Sequence, residues 1–132
     1  MKSGKRRLGV IGTPVWDVIH GWPPGSEPTE GWGGIAYALS AFAAALPDSW
    51  EIVPIMKVGQ DVAERVPTFL STLRNVAADA APVIVPQPNN RSEIHYYDEE
   101  QRSERLTGRT PSWEWHEIEP WLRDRSLSLI HI

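Results

Sequence analysis

The chain has 132 residues, of which 41% are hydrophobic and 23% charged, and this balance is that of one globular domain with one core. The absence of cysteine excludes disulfides, thiolate zinc sites and cysteine nucleophiles, and it agrees with a cytoplasmic location. The net charge of −4 argues against nucleic-acid binding, and no apolar run reaches the length of about 20 residues that spans a membrane.

The first strand and the first helix are marked by their apolar residues. Arg7 to Gly12 is a β-branched and apolar run, which predicts a buried central strand. A helix is predicted to begin at Gly34 and to end before Pro47, which cannot continue the hydrogen-bond ladder. Its apolar residues recur at steps of four, three and four: Ile35, Leu39, Phe42 and Leu46.

The middle of the chain repeats this alternation. Glu51 to Val58 predicts a second strand, and Pro54, which lacks an N–H, favours an edge or a bulge there. A helix with Asp61 as its N-cap is predicted to run to Asn75, with a kink or a restart at Pro67. Val83 to Val85 predicts a third strand.

The last third contains a polar hairpin, a helix and a strand. Ser92 to Tyr97 and Arg102 to Leu106 predict a lid-like hairpin. Thr110-Pro111-Ser112 and Glu114 indicate the start of a helix. The apolar side of this helix is predicted to consist of Trp115, Ile118 and Leu122. Ser126 to Ile132 predicts a strand without a polar end, so we expect the chain to be the front part of a longer one.

This order of elements predicts an α/β fold. Strand, helix, strand, helix and strand imply crossover connections between parallel strands. We therefore expect one mainly parallel sheet that contains Arg7 to Gly12, Ile52 to Met56 and Val83 to Val85, with helices beginning near Gly34 and Asp61.

A diglycine and a carboxylate form the candidate binding site. Gly33 and Gly34 permit positive φ and close approach of a ligand, at the point where a helix presents its free N–H groups. The alternative is a tight loop that needs glycine for its geometry alone. Asp17 follows the first strand, where it can accept hydrogen bonds from ligand hydroxyls, or it belongs to an Asx-turn.

Three blocks in this order resemble the N-terminal portion of the PfkB-type, ribokinase-like carbohydrate kinase family. The first is Leu8-Gly9-Val10-Ile11-Gly12 followed by Asp17, and the second is the Gly33-Gly34 turn that opens a helix. The third is Lys57-Val58-Gly59-Gln60-Asp61, and Asn89-Asn90-Arg91 before the hairpin adds to them. The resemblance covers residues 7 to about 125.

The resemblance implies the N-terminal part of a single three-layer α/β/α domain over residues 1–132, truncated, with a small β lid at about 13–32 and 91–106. It implies transfer of the γ-phosphoryl group of ATP, with Mg²⁺, to a hydroxyl of a sugar or nucleoside by the full-length protein. Asp17 matches the residue that holds substrate hydroxyls, and Gly33 and Gly34 match the diglycine against the substrate. The implied partner is a small sugar or nucleoside, with a homodimer through the lid as a further expectation.

Two departures separate the chain from the family pattern. Val15 and Ala38 stand where the family usually has asparagine. The Gly-Ala-Gly-Asp signature, with its catalytic base and anion hole, does not occur, so no catalytic residue is assigned in this chain. Two hypotheses stay open: the substrate-binding part of a sugar or nucleoside kinase, and a non-catalytic ligand-binding or interaction module on the same fold.

The histidines and tryptophans give weaker signals. The four histidines have no metal-ligand spacing along the chain, so no metal site is predicted. Trp16, Trp22 and Trp32 could stack on a sugar ring near Asp17, or they could cover the lid or a dimer contact.

Overall fold

The computed structural model describes residues 4–124 and 126–132, so residues 1–3 of the predicted domain, and Arg125 at the end of the resemblance, lie outside the described residues. No helix of this part is long and apolar enough to cross a membrane. Its elements follow in this order: β1 (Arg6–Ile11), β2 (Pro14–His20), β3 (Thr29–Gly34), α1 (Ile35–Ala45), β4 (Trp50–Ile55), β5 (Lys57–Gly59), a 3-10 turn (Ala63–Arg65), α2 (Val66–Ser71), β6 (Val83–Val85), β7 (Arg91–Tyr96), β8 (Arg102–Thr107), α3 (Trp115–Leu122) and β9 (Leu127–His131).

A parallel sheet in the order β4-β1-β9 lies at the centre of the fold. Because side chains alternate along β1, Val10 packs with Leu39 of α1 on one face, and Ile11 packs with Ile118 of α3 on the other. The prediction of a three-layer α/β fold with β1 as a central strand is confirmed. β4 is an edge strand of this sheet, which suits Pro54.

One part of the sheet prediction is wrong. Val83 to Val85 pairs with β5 in a separate two-stranded sheet. The cause is that the predicted strand Glu51 to Val58 is divided at Met56, two residues after Pro54. The carbonyl oxygen of Met56 still accepts a hydrogen bond from the N–H of Val83 at 3.0 Å. β6 therefore lies beside the segment that continues from β4 through Met56 into β5.

The second helix is shorter than its apolar spacing predicts. α2 ends at Ser71 instead of Asn75, and Pro67 lies in its first turn, which confirms the restart. Asp61 is not an N-cap, because its Oδ1 accepts the backbone N–H of Asn89 at 2.9 Å. A contact distant in sequence thus replaces the local cap.

The apolar side predicted for α3 is correct at Ile118 and wrong at Trp115 and Leu122. Trp115 and Leu122 are exposed, whereas Ile118 and Trp121 pack on the sheet. The Nζ of Lys57 lies 2.9 Å from Glu117, and this ion pair turns residues 117, 118 and 121 toward the sheet. Glu114 and Glu117 form a capping box at the start of the helix.

A second sheet, which we call the side sheet, has the order β3-β2-β7-β8. β2 is antiparallel to β3 and parallel to β7, and β7 and β8 form the expected hairpin. The segments predicted as a lid, 13–32 and 91–106, both contribute strands to this sheet.

Asn89 joins the side sheet to the rest of the fold. Its Oδ1 accepts the N–H of Gly59 at 3.0 Å, and its Nδ2 donates to the carbonyl oxygens of Pro14 at 3.0 Å and Asn90 at 2.9 Å. The residue is 2% exposed, so water cannot replace these bonds.

We predict that Asn89→Ala lowers the free energy of unfolding by about 1–3 kcal/mol, because the N–H of Gly59 loses its partner in a buried position. Denaturant titration of the purified protein measures the effect. Gln87→Ala, at an exposed position two residues earlier, is the control and should leave the midpoint unchanged. Equal midpoints for both variants would contradict the role assigned to Asn89.

Candidate functional site

Asp17 lies inside β2, where it is in register with Gly31 of β3 and Ser92 of β7. This position rules out the Asx-turn alternative. Because side chains alternate along a strand, Asp17 lies on one face of the side sheet, and Trp16 and Val18 lie on the other. We call these the Asp17 face and the Trp16 face.

Gly33 is required by its contact with Asp17. A Cβ at Gly33 would overlap Oδ2 of Asp17, so the carboxylate lies directly against the backbone of β3. The structure thus places the carboxylate of Asp17 against Gly33, the first residue of the diglycine.

Gly34 has a different reason to be glycine. Its φ is +62°, and a Cβ there would overlap the carbonyl oxygen of Thr13. That oxygen also accepts the N–H of Ile35 at 3.0 Å, so the first amide of α1 is bound within the protein. The tight-turn explanation therefore accounts for Gly34 without a ligand.

Three further polar side chains lie around Asp17, and sequence reasoning missed all of them. The hydroxyl of Tyr37, in the first turn of α1, donates to Oδ2 of Asp17 at 3.3 Å. Ser92 donates to Oε1 of Glu104 at 2.7 Å, and the charge of Glu104 acts on Asp17. Tyr37 lies three residues after the diglycine and could have been found by helical spacing, but Ser92 and Glu104 depend on strand register.

This surrounding changes the acidity of Asp17. Partial burial raises the pKa of Asp17, the hydrogen bond from Tyr37 opposes this, and Glu104 adds to the rise. The nearby Asp17 carboxylate in turn raises the pKa of Tyr37. Burial is thus the main cause of the raised pKa of Asp17, whereas neighbouring negative charge is the main cause of the raised pKa of Tyr37.

Trp16 and Trp32 do not face this site. They pack edge to face, with ring centroids 5.1 Å apart, on the Trp16 face of the side sheet. The guanidinium of Arg65 lies 4.3 Å from the ring centroid of Trp16. These rings anchor the side sheet on the core, and they do not stack on a sugar beside Asp17. Trp22 is exposed, at 48%.

A cavity of about 460 Å³ lies next to this site, at the carboxyl ends of β1 and β9. Its lining includes Thr13, Asn90, Arg109 and His131, and Thr13 also contacts Gly34. The cavity lies in the crevice beyond the strand ends, where open α/β sheets bind ligands.

Lys57, which also lines the cavity, is bound within the protein. Its Nζ donates to the carbonyl oxygen of Ser112 at 3.0 Å and to Glu117 at 2.9 Å, and lies 4.8 Å from the ring centroid of Trp113. The hydrogen bond from Lys57 lowers the pKa of Glu117, and the N–H of Glu114 lowers it further. Lys57 thus attaches α3 to β5.

Comparison with known proteins addresses the fold. No family model matches the chain, and no curated protein matches it in sequence. Solved structures do match. The ribokinase of Cryptococcus neoformans var. grubii serotype A, in complex with ADP, is 23% identical with a TM-score of 0.56, over 83% of this chain and 38% of that one.

Two other solved kinases give the same result. The nucleoside kinase of Methanocaldococcus jannaschii is 15% identical with a TM-score of 0.55, over 80% of this chain and 38% of that one. Arabidopsis thaliana ribokinase, complexed with ribose and ATP, is 14% identical with a TM-score of 0.53, over 78% of this chain and 36% of that one. The chain therefore spans well under half of the structures that it matches.

At these identities the likeness establishes the fold. The chain has the fold of the N-terminal part of the ribokinase-like sugar and nucleoside kinases, and the resemblance in the sequence is confirmed at that level.

We predict that the two glycines respond differently to alanine. Gly34→Ala should lower the free energy of unfolding by about 1–2 kcal/mol, because φ is positive there and the methyl group meets backbone. Gly33→Ala should shift the Asp17 carboxylate and leave the fold intact, because the methyl group meets only a side chain. Thermal unfolding and the NMR signal of the Asp17 carboxyl carbon measure the two effects.

Gly31→Ala is the matched control for both variants. A Cβ at Gly31 meets nothing within 4 Å, so neither stability nor the Asp17 signal should change. If Gly33→Ala behaves like Gly31→Ala, the contact between Gly33 and Asp17 is not as described.

We predict opposite pKa changes from two neighbours of Asp17. Tyr37→Phe should raise the pKa of Asp17, because the hydrogen bond that lowers it is lost, and Glu104→Gln should lower this pKa. NMR titration of the Asp17 carboxyl carbon measures both shifts. Tyr97→Phe, at an exposed tyrosine beyond the end of β7, is the control. A lower pKa in Tyr37→Phe would refute the arrangement.

Proposed function

We propose that the chain binds an uncharged polyol, a sugar or a nucleoside, at Asp17, Gly33 and Gly34. In this proposal it is the substrate-binding part of a ribokinase-like kinase. The observation that carries the proposal is the position of the Asp17 carboxylate against the backbone of Gly33, beside the start of α1.

The chemistry of Asp17 suits neighbouring hydroxyl groups. An ionised carboxylate only accepts hydrogen bonds, and its two oxygens can receive two hydroxyls of one ring. The absence of a side chain at Gly33 leaves room for the carboxylate itself, which lies directly against the backbone of β3. Since the ionised form is the acceptor, binding should weaken as the pH falls through the raised pKa of Asp17.

The charge around the site supports an uncharged ligand. Glu104 adds a second negative charge close to Asp17, and like charges would repel a phosphorylated or carboxylated sugar. Neutral hydroxyls meet no such repulsion and can donate to these carboxylates, so ribose-like sugars and nucleosides fit the site better than sugar phosphates.

Tyr37 offers a substitute for the polar groups that are missing at Val15 and Ala38. Its hydroxyl lies 3.3 Å from Oδ2 of Asp17, one residue before Ala38 on the same helix. In this proposal the hydroxyl of Tyr37 orients the carboxylate by donating to it, and the hydroxyl oxygen accepts a hydrogen bond from the ligand.

The residues of this chain do not fit ATP and Mg²⁺ by themselves. The sequence has no glycine-rich phosphate loop, and Lys57 is already bound to Glu117 and Ser112. We therefore assign no phosphoryl-transfer step to these residues, and in this proposal nucleotide and Mg²⁺ are held by chain beyond them. The similar Cryptococcus structure, which contains ADP, supports nucleotide use by the fold.

We predict that Asp17→Asn weakens polyol binding by about 1.5–3 kcal/mol, because charged hydrogen bonds to hydroxyls are lost. Isothermal titration with ribose and with inosine measures the change. Glu99→Gln, which removes one negative charge from the exposed turn between β7 and β8, is the control and should bind as before.

The outcomes separate the two hypotheses about function. An unchanged affinity in folded Asp17→Asn would remove Asp17 from the site. If ribose and inosine bind but ADP and ATP do not affect their affinity in the full-length protein, the non-catalytic binding module is favoured over the kinase.

A further inference from the structure

Two histidines and one glutamate converge on the Trp16 face of the side sheet. His20 is in register with His95 on the neighbouring strand, and Val18 is in register with Glu93. The three side chains therefore lie on the face opposite Asp17. We propose that His20, Glu93 and His95 form a binding site for a divalent transition-metal ion.

The distances between the side chains support this proposal. One ligand atom from each residue lies within 4.8 Å of the others. The imidazole rings of His20 and His95 are stacked, with centroids 4.1 Å apart and planes 5° from parallel. Nε2 of His95 lies 3.8 Å from Oε2 of Glu93. To bind a common ion, the two rings would rotate out of their stack so that the plane of each ring contains the ion.

The ligand types indicate the class of metal. Two imidazoles and one carboxylate suit Zn²⁺, Co²⁺ or Ni²⁺, whereas Mg²⁺ prefers oxygen ligands and keeps its waters. Three protein ligands also leave at least one coordination position for water or another donor. This site would thus lie elsewhere than the Mg²⁺ site that accompanies a nucleotide, and it would bind a different metal.

The position of the site gives the ion a structural consequence. β2 and β7 come from segments that are far apart in the sequence, and His20 and His95 lie at the ends of these strands. An ion bound to both strands would fix their relative register and stabilise the outer end of the side sheet. Spacing along the chain could not predict this, because His20 and His95 meet only through strand pairing.

The test is titration of the purified protein, without a histidine affinity tag, with ZnCl₂. We expect saturable binding of one Zn²⁺ per chain, and a higher unfolding temperature in its presence. His20→Ala and His95→Ala should each weaken binding by roughly tenfold or more, since even loss of an outer-shell partner costs that much. Glu93→Gln, which keeps the shape of the side chain, should also weaken it.

His116→Ala is the matched control. Nδ1 of His116 lies 3.3 Å from Oε2 of Glu114, so this pair has one imidazole and one carboxylate but lacks the second histidine. Zn²⁺ affinity should be the same in this variant as in the unchanged protein. MgCl₂ should give no saturable binding at the histidine cluster.

Three results would overturn the proposal. The first is an absence of saturable Zn²⁺ binding, which would leave the stacked rings as a packing contact only. The second is full Zn²⁺ affinity in any one folded variant among His20→Ala, His95→Ala and Glu93→Gln. The third is loss of affinity in His116→Ala. Unfolding temperatures without metal show which variants are folded. If an alanine variant does not fold, Glu93→Gln alone still tests the proposal.

Discussion

The hydrogen bonds of the buried Asn89 side chain join β5 of the two-stranded sheet to β2 of the side sheet, and the relative position of these two sheets depends on them. The Oδ1 of Asn89 accepts the N–H of Gly59 at the end of β5, and the Nδ2 donates to the carbonyl oxygen of Pro14 at the start of β2. Glycine is required around it, since a Cβ at Gly59 or Gly108 would overlap the backbone of Asn89. The side sheet is therefore attached at a fixed angle by a polar contact.

The geometry of the candidate site depends on this attachment. With β2 held at Pro14, the antiparallel register sets Asp17 opposite Gly31 and beside Gly33. A slip of one residue would turn Asp17 to the Trp16 face and Trp16 to the Asp17 face. The packing of Trp16 on Trp32, with Arg65 above it, opposes this slip. Apolar contacts on one face thus fix the polar group on the other.

Local patterns in the sequence predicted much of the fold, and contacts between distant residues explain what they missed. Apolar spacing located β1, β4 and α1, because burial on the sheet faces imposes that spacing. The same reasoning failed for Asp61, whose carboxylate binds Asn89 instead of capping a helix. It also could not place Glu104 near Asp17, since hairpin register is a property of paired strands.

The two faces of the side sheet are physically connected through the pairing of β2 and β7. Asp17 pairs with Ser92 in this ladder, and His20 pairs with His95 three residues further along each strand. Whatever fixes the histidine end, including an ion between the two strands, also limits movement of Asp17 relative to Ser92. Ser92 holds Glu104, and the charge of Glu104 contributes to the acidity of Asp17. A constraint on the Trp16 face would therefore reach Asp17 through strand register, without any direct contact with that residue.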